Sequence, residues 1–164
     1  MMNTDLQDIA RLQEISRWHT VSTNRTQTVA EHSFNVAAMV SVFLTRLGYE
    51  SETFNRIMIK ALYHDIDEAY SGDSPPNHKS VEYSKMDKED LIIKAFDLLD
   101  AWFFASTHIM SRHHLKIVDG LMIEIHECKK QFDPDHRNEF SDMVNELKNM
   151  HDWSRDVSRV TTRT

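Results

Sequence analysis

Two histidines and a set of carboxylates are spaced so that they could hold a metal ion. Glu31-His32-Ser33 opens one apolar-striped stretch. His64-Asp65 closes another, with Glu68 and Asp73 just after it. Asp97 sits in the apolar run KAFDLLDAW. An unpaired buried carboxylate costs several kcal/mol, so Asp97 needs a partner. Asp100, three residues on and on an adjacent face, is expected to be the solvated one of the two. Imidazoles and carboxylates together make a mixed N/O site, which suits a divalent first-row ion with open positions for water and substrate oxygens. A thiolate-free set is seldom a closed structural zinc site. Such an ion polarises phosphoryl oxygens and acidifies water. Ligands on separate helices suit an α-bundle, where sites form from facing side chains.

The elements that must position these residues are helical. Leu6, Ile9, Leu12 and Ile15 predict a helix from Thr4 to about Ser16. Arg17–Thr28 lacks a helical stripe and reads as an ordered loop. Val36, Val40, Phe43 and Leu47 share one face of a helix from about Val29 to Leu47, with Gly48 as its C-terminal stop. Ser51 and Glu52 open a third helix, which runs into His64. Ala69–Lys79 holds Gly72, Pro75 and Pro76 and is expected to be a long surface loop carrying Asp73. Helical spacing resumes from about Ser80 to Ser106, and again from about Arg112 to Phe132. Asp133-Pro134-Asp135 reads as a stop and a new N-cap for a last helix to about Met150. The tail beyond it, with Arg155, Arg159 and Arg163 at helical spacing, is either a short exposed helix or frayed. The expectation is an all-α fold: a compact bundle of six to seven helices in one domain over residues 1–164, with the metal site between helices.

Composition narrows the options. Three Gly and three Pro in 164 residues come to about 4%, against a usual share of about 12%. A sandwich or barrel needs more turns than that. Gly48, Gly72 and Gly120 are too far apart for a Gly-rich phosphate loop. Lys and Arg number 19 against 26 Asp and Glu, a net charge of −7. That balance speaks against a nucleic acid polymer or an anionic membrane as partner. Cys128 is alone, so neither a disulfide framework nor a cysteine zinc site is expected, and a reducing compartment fits. The segment MMNTDLQDIARLQEI has no signal-peptide character. The longest nearly apolar run, Val36–Leu44, is far short of the ~20 residues that span a bilayer. A cytoplasmic, soluble protein is expected.

The order His … His-Asp … Asp resembles that of the HD-domain phosphohydrolases. Four longer motifs sharpen the resemblance: Arg17-Trp18, R-T-x-x-V-A-E-H-S from Arg25 to Ser33, Y-H-D-x-x-E-x-x-x-G-D-x-P from Tyr63 to Pro75, and K-x-x-D-x-L-x-A-W from Lys94 to Trp102. They are similar to the bacterial 5′-deoxynucleotidase branch, and to small phage relatives that hydrolyse dATP to deoxyadenosine and triphosphate. The likeness covers roughly residues 10–107. The (p)ppGpp-hydrolase branch has an acidic pair after its His-Asp, where this chain has Glu68 followed by Ala69, so that branch is set aside.

The resemblance implies that His32, His64, Asp65 and Asp97 hold a divalent transition metal such as Co, Mn or Zn. It implies that Glu68 positions or deprotonates the attacking water. Asp73 would lie near the sugar or phosphate, or help hold a second ion such as Mg beside Glu68. Arg17 would contact phosphate, and Trp18 would pack on the sugar and exclude a 2′-hydroxyl. Thr20, Val21 and the helix after Asp97 are candidates for the base. Lys79 and Lys94 are phosphate contacts by position, or solvated lysines. His113, His114 and His126 have no acidic partners in register and are not expected to ligate. Phe96, Trp102, Phe103 and Phe104 are expected in the core or at a subunit contact.

The implied activity is metal-dependent deoxynucleotide phosphohydrolysis, with dATP triphosphohydrolase chemistry ahead of 5′-deoxynucleotidase action on monophosphates. A non-catalytic nucleotide sensor is the reading of another class. A deoxynucleotide partner and a homo-oligomer follow from the same resemblance.

Overall fold

The structure is a computed structural model, and it describes residues 5–73, 82–110 and 113–161, the last eleven of these as backbone only. Among the described residues there are seven α-helices, one 3-10 turn and no strand. In chain order they are α1 (Leu6–Arg11), α2 (Val29–Arg46), α3 (Ser51–Leu62), α4 (Glu68–Ser71), the 3-10 turn (Tyr83–Lys85), α5 (Lys88–His108), α6 (His114–Lys129) and α7 (Pro134–Thr161). The all-α expectation holds. None of the described helices is long and apolar enough to cross a membrane.

The centre of the molecule is α5, which packs against α2, α3, α6 and α7. Its buried residues fall all round the helix and include Leu91, Ile92, Phe96, Leu99, Trp102 and Ala105. A helix apolar on every side must be wrapped by others. Phe43 from α2, Phe96 from α5 and Phe140 from α7 are fully buried, each worth about 1.5–3 kcal/mol of transfer free energy. Their rings meet edge to face or in series through Phe132. Phe96, Trp102 and Phe104 are buried, and Phe103 packs partly buried on the same core. The aromatic run therefore faces inward. Cys128 is buried as well; its thiol donates to the Leu91 carbonyl, and burial pushes its pKa up to about 12.

Helix starts follow their capping residues. The Thr28 hydroxyl accepts from the Glu31 amide, Asp87 from the Asp90 amide and Asp133 from the His136 amide. Helix ends differ from expectation in ways that have physical causes. The first helix stops at Arg11, not Ser16. The carbonyls of Leu12 and Ile15 instead accept the first amides of α2, from Ala30 and Val29. The third helix stops at Leu62, short of His64, whose Nδ1 bonds the Ala61 carbonyl and closes the last turn. Gly48, at φ 68, follows the Leu47 C-cap of α2 in the left-handed conformation that favours glycine.

The surface loop expected from Ala69 begins instead with helix: Ala69–Ser71 belong to α4. Pro75, Pro76 and Lys79 lie outside the described residues. The last helix runs past Met150 to Thr161 as one element.

The Arg17–Thr28 loop is irregular, as expected, but it is pinned at three places. Ser16 bridges Thr28, Thr23 bridges Ile109, and the Arg17 amide donates to the Gln27 carbonyl at 2.8 Å. The amides of Asn24 and Met110 donate across the same seam, to His108 and Ser22. The loop is thus strapped across the C-terminal end of α5.

Candidate metal centre

The residues of the His … His-Asp … Asp pattern meet at one point. His32 comes from the first turn of α2, His64 and Asp65 from the bend after α3, and Asp97 from the middle of α5. His32 Nε2 lies 3.3 Å from His64 Nε2, 3.0 Å from Asp97 Oδ1 and 3.5 Å from Asp65 Oδ2. His64 Nε2 lies 3.3 Å from Asp65 Oδ2. One ligand atom each from His32, His64 and Asp97 falls within 4.8 Å of the others.

The imidazole orientations limit what this cluster can do. His64 Nδ1 faces a carbonyl, at 2.8 Å from Ala61 O, and must donate to it. His32 Nδ1 lies 2.6 Å from Asp100 Oδ2, again an acceptor. In the neutral rings both Nε2 lone pairs therefore point at each other and at carboxylate oxygens. Such a set repels itself unless a cation or a proton stands between. A second-sphere acceptor on the outer nitrogen is the usual way a protein fixes a metal-binding histidine. The donor chemistry fits a divalent transition ion.

Asp100 corrects the sequence reading. It is buried, while the side chain of Asp97 remains partly open. Gln27 Nε2 donates to its Oδ2 at 2.8 Å and Asn35 Nδ2 to its Oδ1 at 3.0 Å. Asp100 is the carboxylate that orients His32, and Gln27 and Asn35 support it. The available signal was the apolar run on both sides of Asp100, the same signal that singled out Asp97, together with Asn35 one turn after His32.

Lys94 holds the other oxygen of Asp97, with Nζ 2.6 Å from Oδ2. Burial works to raise the Asp97 pKa, but Lys94 and His32 hold it well below the usual carboxylate range. Burial also works to lower the His32 pKa, and the hydrogen bonds to Asp100 and Asp97 outweigh it and raise it.

The other expected site residues lie as follows. Arg17 Nη1 donates to Asp65 Oδ2 at 3.3 Å, and its Nε is buried with no hydrogen-bond partner. Trp18 takes φ 62, the one positive φ among described non-glycine residues. Its indole stacks on Phe104 at 5.8 Å and donates to Gln27 Oε1 at 2.9 Å. Glu68 opens α4 half-buried, with Oε2 out of reach of solvent. Asp73 faces His19 Nδ1 at 3.3 Å. Thr20 is exposed and Val21 half-buried, in the turn closed by the Val21 amide on the Trp18 carbonyl. A separate cleft of about 380 Å³ is lined by Tyr49, Arg56, Lys88, Glu89 and His136. Its cations are already paired, Arg56 with Glu89 and Lys88 with Asp133, and none of the expected site residues lines it.

Fold and cluster together give an all-α bundle with a candidate metal centre held between its helices. The family profile described as 5′-deoxynucleotidase YfbR-like matches residues 6–90, and the chain belongs to that family. A dATP triphosphohydrolase of Salmonella phage PMBT28 is 36% identical over 80 residues, covering 44% of this chain and 41% of the phage protein. A 5′-deoxynucleotidase of Pectobacterium atrosepticum is 35% identical over 89 residues, covering 49% of this chain and 45% of that one. The chain thus matches less than half the length of these curated relatives. The fold is similar to that of the Cyanophage S-2L HD phosphohydrolase solved with dA and one catalytic Zn²⁺. The TM-score is 0.78 at 22% identity, over 91% of this chain and 99% of that one.

Proposed function

We propose that this chain is a metal-dependent deoxynucleotide phosphohydrolase that converts dATP to deoxyadenosine and triphosphate. The observation that carries the reading is the pair of imidazoles locked by Asp100 and Ala61 so that both Nε2 atoms face Asp65 and Asp97. A divalent ion held by His32, His64, Asp65 and Asp97 would polarise a phosphoryl oxygen and acidify the attacking water.

The residues around the ligands have complementary work. Water adds to the α-phosphorus, the bond to the 5′ oxygen breaks, and that oxygen leaves with a proton as the 5′-hydroxyl. Glu68 accepts the proton of the water. Arg17, with one buried N–H still short of an acceptor, stabilises charge on the phosphoryl oxygens. Trp18 offers an apolar wall to the sugar, against which an added 2′-hydroxyl would lose its hydration without gaining a partner. Thr20 and Val21 border the base. Lys94 is engaged with Asp97 and supports that ligand; Lys79 is a phosphate contact in this reading. Asp73, with Glu68, is the candidate holder of a second ion such as Mg. The reading takes residues 1–164 as one domain, acting as a homo-oligomer in the cytoplasm.

The deciding experiment incubates purified protein with each dNTP, rNTP and dNMP in Co²⁺, Mn²⁺ or Zn²⁺, with gel filtration reporting the assembly. Triphosphate and deoxyadenosine from dATP are expected. Free phosphate from dNMPs with dNTPs untouched would favour the second reading, a 5′-deoxynucleotidase, which the family description favours. Binding without turnover under every metal would favour a sensor.

A further inference from the structure

Gln27 is 1% exposed and belongs to no ligand set. Its amide makes two hydrogen bonds, and the chemistry of the partners fixes which end makes each. The Trp18 indole can only donate, so the Gln27 carbonyl oxygen faces it at 2.9 Å. Asp100 accepts from the other end, so the NH₂ group faces it at 2.8 Å. The same Asp100 oxygen receives His32 Nδ1 at 2.6 Å. An unbroken chain, buried from Gln27 onward, therefore runs from the indole through one amide and one carboxylate to an imidazole of the candidate metal centre.

Trp18 needs such a hold. A left-handed backbone is unfavourable for a non-glycine residue, and its φ is 62. Phe104 supports the indole face, and Gln27 fixes its rotation about that face.

We infer that Gln27 is a positioning residue: with the two ends of one buried amide it sets the Trp18 wall and braces the Asp100–His32 pair, so that sugar discrimination and metal affinity change together when it is replaced. The part concerning sugar discrimination rests on the proposed deoxynucleotide hydrolysis; the part concerning metal affinity does not.

Gln27→Met keeps length and approximate volume and removes both hydrogen bonds, so a packing role alone would survive it. Two readouts apply to the folded variant. The first is the ratio of kcat/KM for dATP over ATP, which is expected to fall several-fold within the about 100-fold that an apolar wall can supply. The second is Co²⁺ affinity by competition with a chelating dye, expected to fall about tenfold as for other outer-sphere partners. The indole N–H signals of the three tryptophans are resolved by ¹⁵N NMR, and Trp18→Phe assigns the one concerned. That signal should shift and exchange faster in Gln27→Met.

A folded Gln27→Met with ratio, Co²⁺ affinity and indole signal unchanged overturns the inference. If that variant does not fold, Trp18→Phe, which cuts the same chain from its less buried end, takes its place. Co²⁺ affinity unchanged in it then overturns the coupling. A wild-type protein that hydrolyses no deoxynucleotide sinks the proposed function alone, because the cobalt and NMR readings decide Gln27 without turnover.

Discussion

Asp100 carries the most weight of any single residue outside the ligand set. Its carboxylate meets three donors, from Gln27, His32 and Asn35. Replacing it with Asn retains the shape and turns one acceptor toward His32 into a donor or a weaker acceptor. We expect Asp100→Asn to lower affinity for Co²⁺ or Zn²⁺ about 10- to 100-fold, read by dye competition, with the circular dichroism of the wild type. Affinity equal to the wild type would leave Asp100 a packing residue. The residues of the candidate centre were legible in the sequence, because His-Asp adjacency and a carboxylate in an apolar run are local signals, and the structure brings His32, His64, Asp65 and Asp97 together. That Asp100 would be buried behind His32, not solvated, was not legible. Two aspartates three residues apart share nearly the same neighbours in sequence, and only the packing of α2 against α5 sorts them. Gln27 was hidden for the same reason, since a glutamine in a polar loop gives no hint that it will be buried.

The start of α7 shows how much a cap controls at the scale of an element. Asp133 accepts from the His136 amide at 3.1 Å and from its Nδ1 at 2.7 Å, and Lys88 lies 3.3 Å away. The amide first, then the imidazole and the ammonium, lower the Asp133 pKa from 3.8 to about 2. The sign follows: a carboxyl depressed on folding stabilises above its unfolded pKa, and that stability is lost as pH falls from about 4 through about 2. Asp133→Ala should cost about 1 kcal/mol at neutral pH, seen as a lower Tm. The gap to the wild type should close as the pH is taken down through that window. A gap that stays constant with pH would mean the cap does not act through its charge. The starts of α2 after Thr28 and α7 after Asp133 were legible in the sequence, but α5 begins at Lys88 after the Asp87 cap and not at about Ser80, because the residues before it form a separate 3-10 turn at Tyr83–Lys85. Among helix ends, that of α2 before Gly48 was legible, and those of α1 and α3 were not. Arg11 ends α1 because α2 takes the next carbonyls, and Leu62 ends α3 because a site histidine turns back on it. Both causes are tertiary.

At the scale of the whole molecule, scarcity of Gly and Pro was enough to foresee a helical bundle. It could not foresee that one helix, α5, would be wrapped on all sides and would carry Asp97 and Asp100 together. The bundle grips the loop from Arg17 to Thr28 across the end of that helix, so Trp18 and the candidate metal centre are tied to the same element. The same wrapping encloses Cys128, whose thiol is held against Leu91 and is pushed up to about 12. Thiolate, not thiol, is the reactive form. A disulfide reagent at pH 8 should therefore leave the folded chain untouched and titrate one thiol only after denaturation; rapid reaction of the native protein would contradict its enclosure. The chain then offers a silent background for labelling. A cysteine introduced at an exposed point such as Thr20 would take up a spin label or dye by itself, with no need to remove the native one, and would report on the loop that carries Trp18.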